Sequence, residues 1–165
     1  MADPQSVIRS RFKLWGAVVI AVLLAIWLGV PTFNKWRADR LVDELCAKDG
    51  GIKVYETVTL PKERFNQRGQ FAVPNKNYMK QDDEFYYEIE SQDIIGNSNS
   101  TDIGKLSLYK SYYKIFRKYD RKLLGQSIMY ARRGGDPIGP WHPSSYSCHQ
   151  TRSLEQSIFQ KADPR

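Results

Sequence analysis

The chain has 165 residues with 25 Lys and Arg against 18 Asp and Glu, a net charge of +7, and ten tyrosines. Setting aside an N-terminal tail and one long uncharged run leaves about 130 residues, room for one domain. The excess charge is too mild to demand a polyanionic partner; +5 of it remains once Asp3, Arg9, Arg11 and Lys13 are set aside.

Residues 1–13 form a short basic tail, of which 6–13 can extend a following helix and meet anionic lipid heads. Residues 14–30 carry no charge. At ~1.5 Å per residue they reach roughly 26 Å, close to a hydrocarbon core of about 30 Å. Pro31, Thr32 and Phe33 extend the run, and Trp15, Trp27 and Trp36 suit headgroup depth. A cleaved signal peptide would need a shorter core and a small-x-small cleavage site, which are not seen. A helix of a soluble domain this small would show an apolar stripe rather than be apolar all round. Residues 14–32 are therefore read as a retained anchor. Arg9, Arg11 and Lys13 before it nearly balance Lys35, Arg37 and Arg40 after it, so the charge rule leaves orientation open.

Residues 33–48 predict an amphipathic helix that can run on from the anchor with a kink at Pro31, with a stripe of Ala38, Leu41, Val42, Leu45 and Cys46 and a stop at Gly50 and Gly51. Residues 52–60 alternate as one half-buried strand ended by Pro61. Residues 62–80 read as a loop with a helical turn near 62–67, 83–89 as a strand, and 97–101 as a polar turn. Residues 106–119 form a longer strand. Its apolar parity shifts between Leu106/Leu108 and Tyr113/Ile115, which predicts a bulge. A turn at Asp120 and Arg121 leads back through a strand over 123–133. The Gly- and Pro-rich stretch 134–148 is expected as an ordered loop, with Trp141 plugging the core and His142 capping a backbone group. Ser153 and Gln156 form a capping-box pattern opening a short helix with Leu154 and Ile158. The fold class is α+β: an anchor helix, then an amphipathic helix packed on a small antiparallel sheet of about four strands.

Cys46 and Cys148 are the only cysteines. Each sits at the end of an element, which favours a disulfide over two buried cytosolic thiols. A bridge would put residues 33–165 outside the cytoplasm and residues 1–13 inside it. Two stretches carry a resemblance. One is Leu45-Cys-Ala-Lys-Asp-Gly-Gly-Ile-Lys-Val-Tyr-Glu-Thr-Val-Thr-Leu-Pro61. The other is Lys122-Leu-Leu-Gly-Gln-Ser-Ile-Met-Tyr-Ala-Arg-Arg-Gly-Gly-Asp136 with Gly139-Pro-Trp-His-Pro-Ser-Ser-Tyr-Ser-Cys148. Together they resemble a group of small uncharacterised bacterial envelope proteins, some lipoproteins and some N-terminally anchored. The resemblance implies a Gram-negative envelope location, hence an inner-membrane anchor with residues 33–165 in the periplasm, and pairing of the two cysteines; it transfers no catalytic residue. No cysteine follows the run closely enough for lipid attachment.

Chemistry is sparse. His142, Cys148 and His149 could offer metal ligands, but a paired Cys148 removes one. Asp136, His142 and Ser144 or Ser145 hold the side-chain types of a hydrolase triad without a nucleophile elbow. Asp82, Asp83, Glu84, Glu88 and Glu90 read as exposed strand charges before they read as a glycosidase pair. The set Arg117, Lys118, Arg121, Lys122, Tyr130, Arg132 and Arg133, with Trp141 and His142, is the candidate contact surface for a protein partner, anionic headgroups or cell-wall polymer. The competing reading is a solvated hairpin whose charges discourage aggregation. No nucleic-acid motif, cofactor site or metal site is expected. The expected function is a non-catalytic binding or accessory module of an envelope assembly. The alternatives are a pilin-like or secretion-system subunit, for which the Gly-Phe-Thr processing signal and a Glu within the run are missing, and a hydrolase using His142.

Overall fold

A computed structural model describes residues 4–98, 104–140, 142–148 and 152–162, with side chains from Trp15 onward. One helix, α1 (Pro4–Asp49), runs through the apolar segment and past Pro31 without a break. Its first half is long and apolar enough to cross a membrane and stands clear of the rest of the chain. Its second half packs on the sheet through the expected stripe: Val42 is fully buried, Ala38 nearly so, and Leu41, Leu45 and Cys46 pack beside them.

Among the described residues seven strands follow: β1 (Gly51–Val54), β2 (Val58–Leu60), β3 (Phe85–Ile95), β4 (Leu106–Arg117), β5 (Leu123–Gly134), β6 (Ser145–Ser147) and β7 (Phe159–Lys161). The main sheet has the antiparallel order β1-β5-β4-β3, with β6 also pairing with β5. A second, two-stranded sheet pairs β2 with β7 in parallel. The α+β class, the anchor-length helix and the helix-on-sheet packing are thus as expected. Cys46 and Cys148 are joined, Cα to Cα 6.0 Å, tying α1 to the segment that follows β6.

Four local expectations are corrected. The single strand over 52–60 is two strands in different sheets. The chain turns out of the main sheet where the N–H groups of Tyr55 and Glu56 both donate to the Leu124 carbonyl, at 2.8 and 3.0 Å. The strand starting near 83 continues to Ile95. The stretch 134–148 holds a short strand, β6, at its end. The parity shift in β4 does not need an extra residue in that strand. Its two halves bury opposite faces: Leu108 and Tyr112 face α1 with Ile128 and Tyr130, while Tyr113 and Ile115 face the other way, toward Leu124, Leu154 and Ile158. A register shift does fall at Ile115/Phe116, and the additional residue is Leu124 on the partner strand.

The second core is closed by α2 (Leu154–Ile158), capped by Ser153 and Gln156 in the reciprocal pattern expected. Phe71, Phe85 and Phe159 pack edge-on and tilted within it, at centroid distances of 4.6 to 6.0 Å. Gly125 makes room for α2: a Cβ there would sit 2.9 Å from Ile158 Cδ1 and 3.0 Å from the Lys53 carbonyl. At the β4–β5 turn Arg121 takes φ of 55°, and Asp120 Oδ1 accepts the Lys122 N–H at 3.1 Å.

Candidate functional site

The pairing directions give the sheet two ends. β3 and β5 run toward the Lys35 end of α1's packed half and β4 runs away from it, so Ile95, Leu106 and Gly134 lie near the apolar segment. The turn around Asp120 lies at the far end. Lys122, just before β5, and Arg132 on it are ten residues apart, about 33 Å at strand rise. The candidate contact residues therefore do not form one surface.

At the far end, the basic hairpin is largely neutralised. The Arg117 guanidinium, half-buried, bonds to Glu56 and reaches Asp120 Oδ2 at 3.2 Å, with Tyr119 beneath it at 5.4 Å. Lys122 Nζ meets the other Glu56 oxygen at 2.7 Å. Lys118 Nζ donates to the carbonyls of Lys80 and Gln81 at 2.8 and 2.7 Å. Arg121 is exposed at the turn.

Tyr130 and Arg132 belong to no surface. Tyr130 is buried, its hydroxyl donating to Asp49 Oδ2 at 3.2 Å. Lys110 Nζ meets the same carboxylate oxygen at 2.5 Å, and its hydrogen bond, with that of Lys53, holds the Asp49 carboxyl at about 2. Arg132 is only 2 % exposed. Its Nε donates to Asp39 Oδ1 at 2.5 Å, and its Nη1 donates to the Gly134 carbonyl and to Ser144 Oγ at 3.2 Å. Both residues alternate toward α1 on β5, so their polar ends meet helix partners there. The sequence signal was strand alternation: Arg132 shares its parity with Ile128 and Tyr130, which face α1. Asp39, Asp49 and Lys35 were not singled out from sequence.

The triad types are brought together in part. Ser144 Oγ donates to Asp136 Oδ1 at 3.0 Å and Ser144 N–H donates to Asp136 Oδ2 at 2.6 Å. Lys35 Nζ completes the knot on Asp136 at 2.6 Å. Burial pushes the Asp136 carboxyl upward, but Lys35 and the Ser144 donors outweigh it and hold it below its ordinary range. His142 is exposed and makes no hydrogen bond with the described residues, so it neither caps the loop nor stands between Ser144 and Asp136. Trp141 and His149 lie outside the described residues. Cys148 is in the disulfide and cannot ligate a metal. The acidic side chains of β3 pair individually: Glu84 with Arg64, Glu88 with Lys76 and Glu90 with Lys114, at 2.6 to 2.8 Å. They do not face one another across a cleft as a carboxylate pair would.

What sequence reasoning missed is a cavity of about 440 Å³ at the end of the sheet nearest the apolar segment, lined by Gly96, Asn97, Lys105, Leu106, Arg133 and Pro143 among others. Arg133 is exposed and makes no ion pair among the described residues. On the outward side of α1 at this end, Arg40 lies 4.7 Å over Trp36 and Arg37 lies 6.0 Å over Phe33.

No protein-family model matches the sequence, and neither a curated protein nor a solved structure is significantly similar to it.

Proposed function

We propose that the chain is a single-pass inner-membrane protein whose periplasmic α+β domain is a non-catalytic binding or accessory module of an envelope assembly. One observation carries the reading. The apolar half of α1 passes without a linker into the half that packs on the sheet, and that half is clamped by Lys35–Asp136, Asp39–Arg132 and Cys46–Cys148. A domain held this way keeps a set height and rotation above its anchor, which suits a part that positions a partner rather than one that searches for substrate. A disulfide suits an oxidising compartment and so supports the periplasmic side. The resemblance of the two motif stretches to bacterial envelope proteins agrees with that placement. The Asp136 and Ser144 side chains support a non-catalytic role because each is engaged in the clamp.

The test is thiol labelling of Cys46 and Cys148 in intact cells and in lysed membranes, with and without reductant. The reading expects both to stay unreactive until reduced, with a mobility shift on a non-reducing gel. Free labelling only after lysis would put the domain in the cytoplasm and end the reading.

The same uninterrupted helix laid on an antiparallel sheet also favours a pilin-like subunit. Mass spectrometry of the mature protein separates the two. A pilin-like subunit loses the basic residues before the apolar run, whereas an anchor retains Arg9, Arg11 and Lys13.

A further inference from the structure

We propose that the exposed face of α1 just beyond the apolar run is a site for an anionic phospholipid, with Arg37 and Arg40 holding the headgroup phosphate over Phe33 and Trp36. The proposal rests on the reading of residues 14–32 as a membrane span.

Reach is the first argument. Arg37 and Arg40 leave the helix seven and ten residues beyond Val30, about 10 and 15 Å along its axis. The headgroup layer adds only roughly 5–7 Å outside each face of the hydrocarbon. Side chains on a helix lean toward its N-terminus, here toward the span. Both arginines do so: the Arg37 guanidinium lies 6.0 Å from the centre of the Phe33 ring, and that of Arg40 4.7 Å from the centre of the Trp36 ring. Those rings stand three and six residues beyond Val30, about 4.5 and 9 Å. Stacking thus brings both charges down to phosphate level.

Access is the second. The sheet covers one side of α1 at this height, where Lys35 and Asp39 turn to Asp136 and Arg132. At 3.6 residues per turn, Phe33, Arg37 and Arg40 point away from that side and Trp36 lies on its flank. Phe33 and Trp36 are 56 % and 51 % exposed. Headgroups packed around the helix meet this face.

Charge is the third. Both arginines are exposed, and neither forms an ion pair with the described residues. Of the carboxylates next along the helix, Asp43 accepts the Tyr146 hydroxyl at 2.9 Å, and Glu44 lies one turn past Arg40, away from the span. The far-end hairpin differs, since Glu56 already neutralises Arg117 and Lys122 there.

The fourth argument is the floor below the rings. Ala25, Leu28, Gly29, Thr32, Phe33 and Trp36 line an open groove of about 710 Å³ that leads from the stacked arginines into the span. A groove of this kind suits a ligand with a charged head and an acyl chain. A soluble phosphate would make no use of it.

Native mass spectrometry of the full chain in detergent micelles tests this, offering phosphatidylglycerol and phosphatidylcholine of the same acyl chains. Phosphatidylglycerol should be retained in preference. Arg37→Gln with Arg40→Gln should weaken that retention about fivefold for each charge removed. Arg68→Gln with Arg121→Gln takes the same charge from exposed positions off this face and should leave retention unchanged. Equal retention of both lipids, or undiminished retention in the α1 pair, would overturn the proposal. So would an equal loss in the Arg68 and Arg121 pair, or glycerol phosphate binding as tightly as the lipid. Alkaline extraction of membranes examines the span separately. Release of the chain would end the anchor reading, whereas lost lipid preference in a chain that stays embedded counts against the α1 site alone.

Discussion

Arg132 shows how much of this domain depends on single polar side chains. Its guanidinium is buried against Asp39, the Gly134 carbonyl and Ser144, so the ion pair is desolvated on one side and hydrogen-bonded on the other. Removing one partner of such a pair leaves a buried charge without compensation, at a cost of about 3–5 kcal/mol, toward the lower figure here because Asp39 keeps some exposure. Asp39→Ala should therefore lower the unfolding free energy of the full chain by that much, read as a lower urea midpoint. Asp39→Leu with Arg132→Met should recover most of it, because both charges go together. Asp49 gives a pH signature. Its folded carboxyl is depressed from 3.8 to about 2, first by the Lys110 hydrogen bond and then by Lys53. A depressed carboxylate contributes stability that is fully present above 3.8 and is lost as pH falls toward 2. Acid unfolding of Asp49→Asn should lack that part of the slope between pH 4 and 2, with the rest unchanged.

At the scale of elements, the sharpest constraint is the approach of α2 to β5. Gly125 lies under Ile158 and Leu154, and an added Cβ would press on both and on the Lys53 carbonyl. Gly125→Ala should cost about 1–3 kcal/mol as overpacking. Hydrogen exchange should show the loss first in α2 and β7, which no long-range disulfide holds. The same region marks where the sequence was readable and where it was not. The stripe of α1, the β4–β5 hairpin and the Ser153 cap follow from local periodicity and capping chemistry, so they could be read directly. The split of β1 from β2 could not, because Val54 and Val58 keep the same parity across the turn. What turns the chain is the Leu124 carbonyl, sixty-odd residues away, taking two N–H groups. β7 is equally silent: three residues after a helix become a strand only because Val58–Leu60 lies beside them. The candidate site divided the same way. Counting cations along β5 found Arg132 and Arg133 alike, but strand alternation buries one against α1 and exposes the other.

The whole molecule is one long helix with a domain fastened to its second half, and the fastening is uneven. On the packed half of α1, Val42 is the fully buried side chain, while the sheet and the α2 side carry Leu108, Ile115, Leu124 and Ile158. Polar contacts and the Cys46–Cys148 bond therefore hold the helix to the sheet as much as apolar burial does. The bridge spans 102 residues of sequence, and closing a loop of that size is worth about 4–5 kcal/mol in the chain-entropy model. Against a typical domain stability of roughly 5–15 kcal/mol, reduction should leave the fold marginal. The order of loss follows from the packing. Once the bridge is open, the helix end near Asp49 is retained by Lys110 and Tyr130, the end near Lys35 by Asp136 and Arg132, and the middle by the cluster around Val42. Reduced protein should show residues 38–49 losing hydrogen-exchange protection before β4 and β5 do, together with a lower urea midpoint. If reduction instead lowers protection uniformly across α1, β4 and β5, helix and sheet form one cooperative unit. The set height of the domain above its anchor would then belong to the whole fold rather than to the bridge.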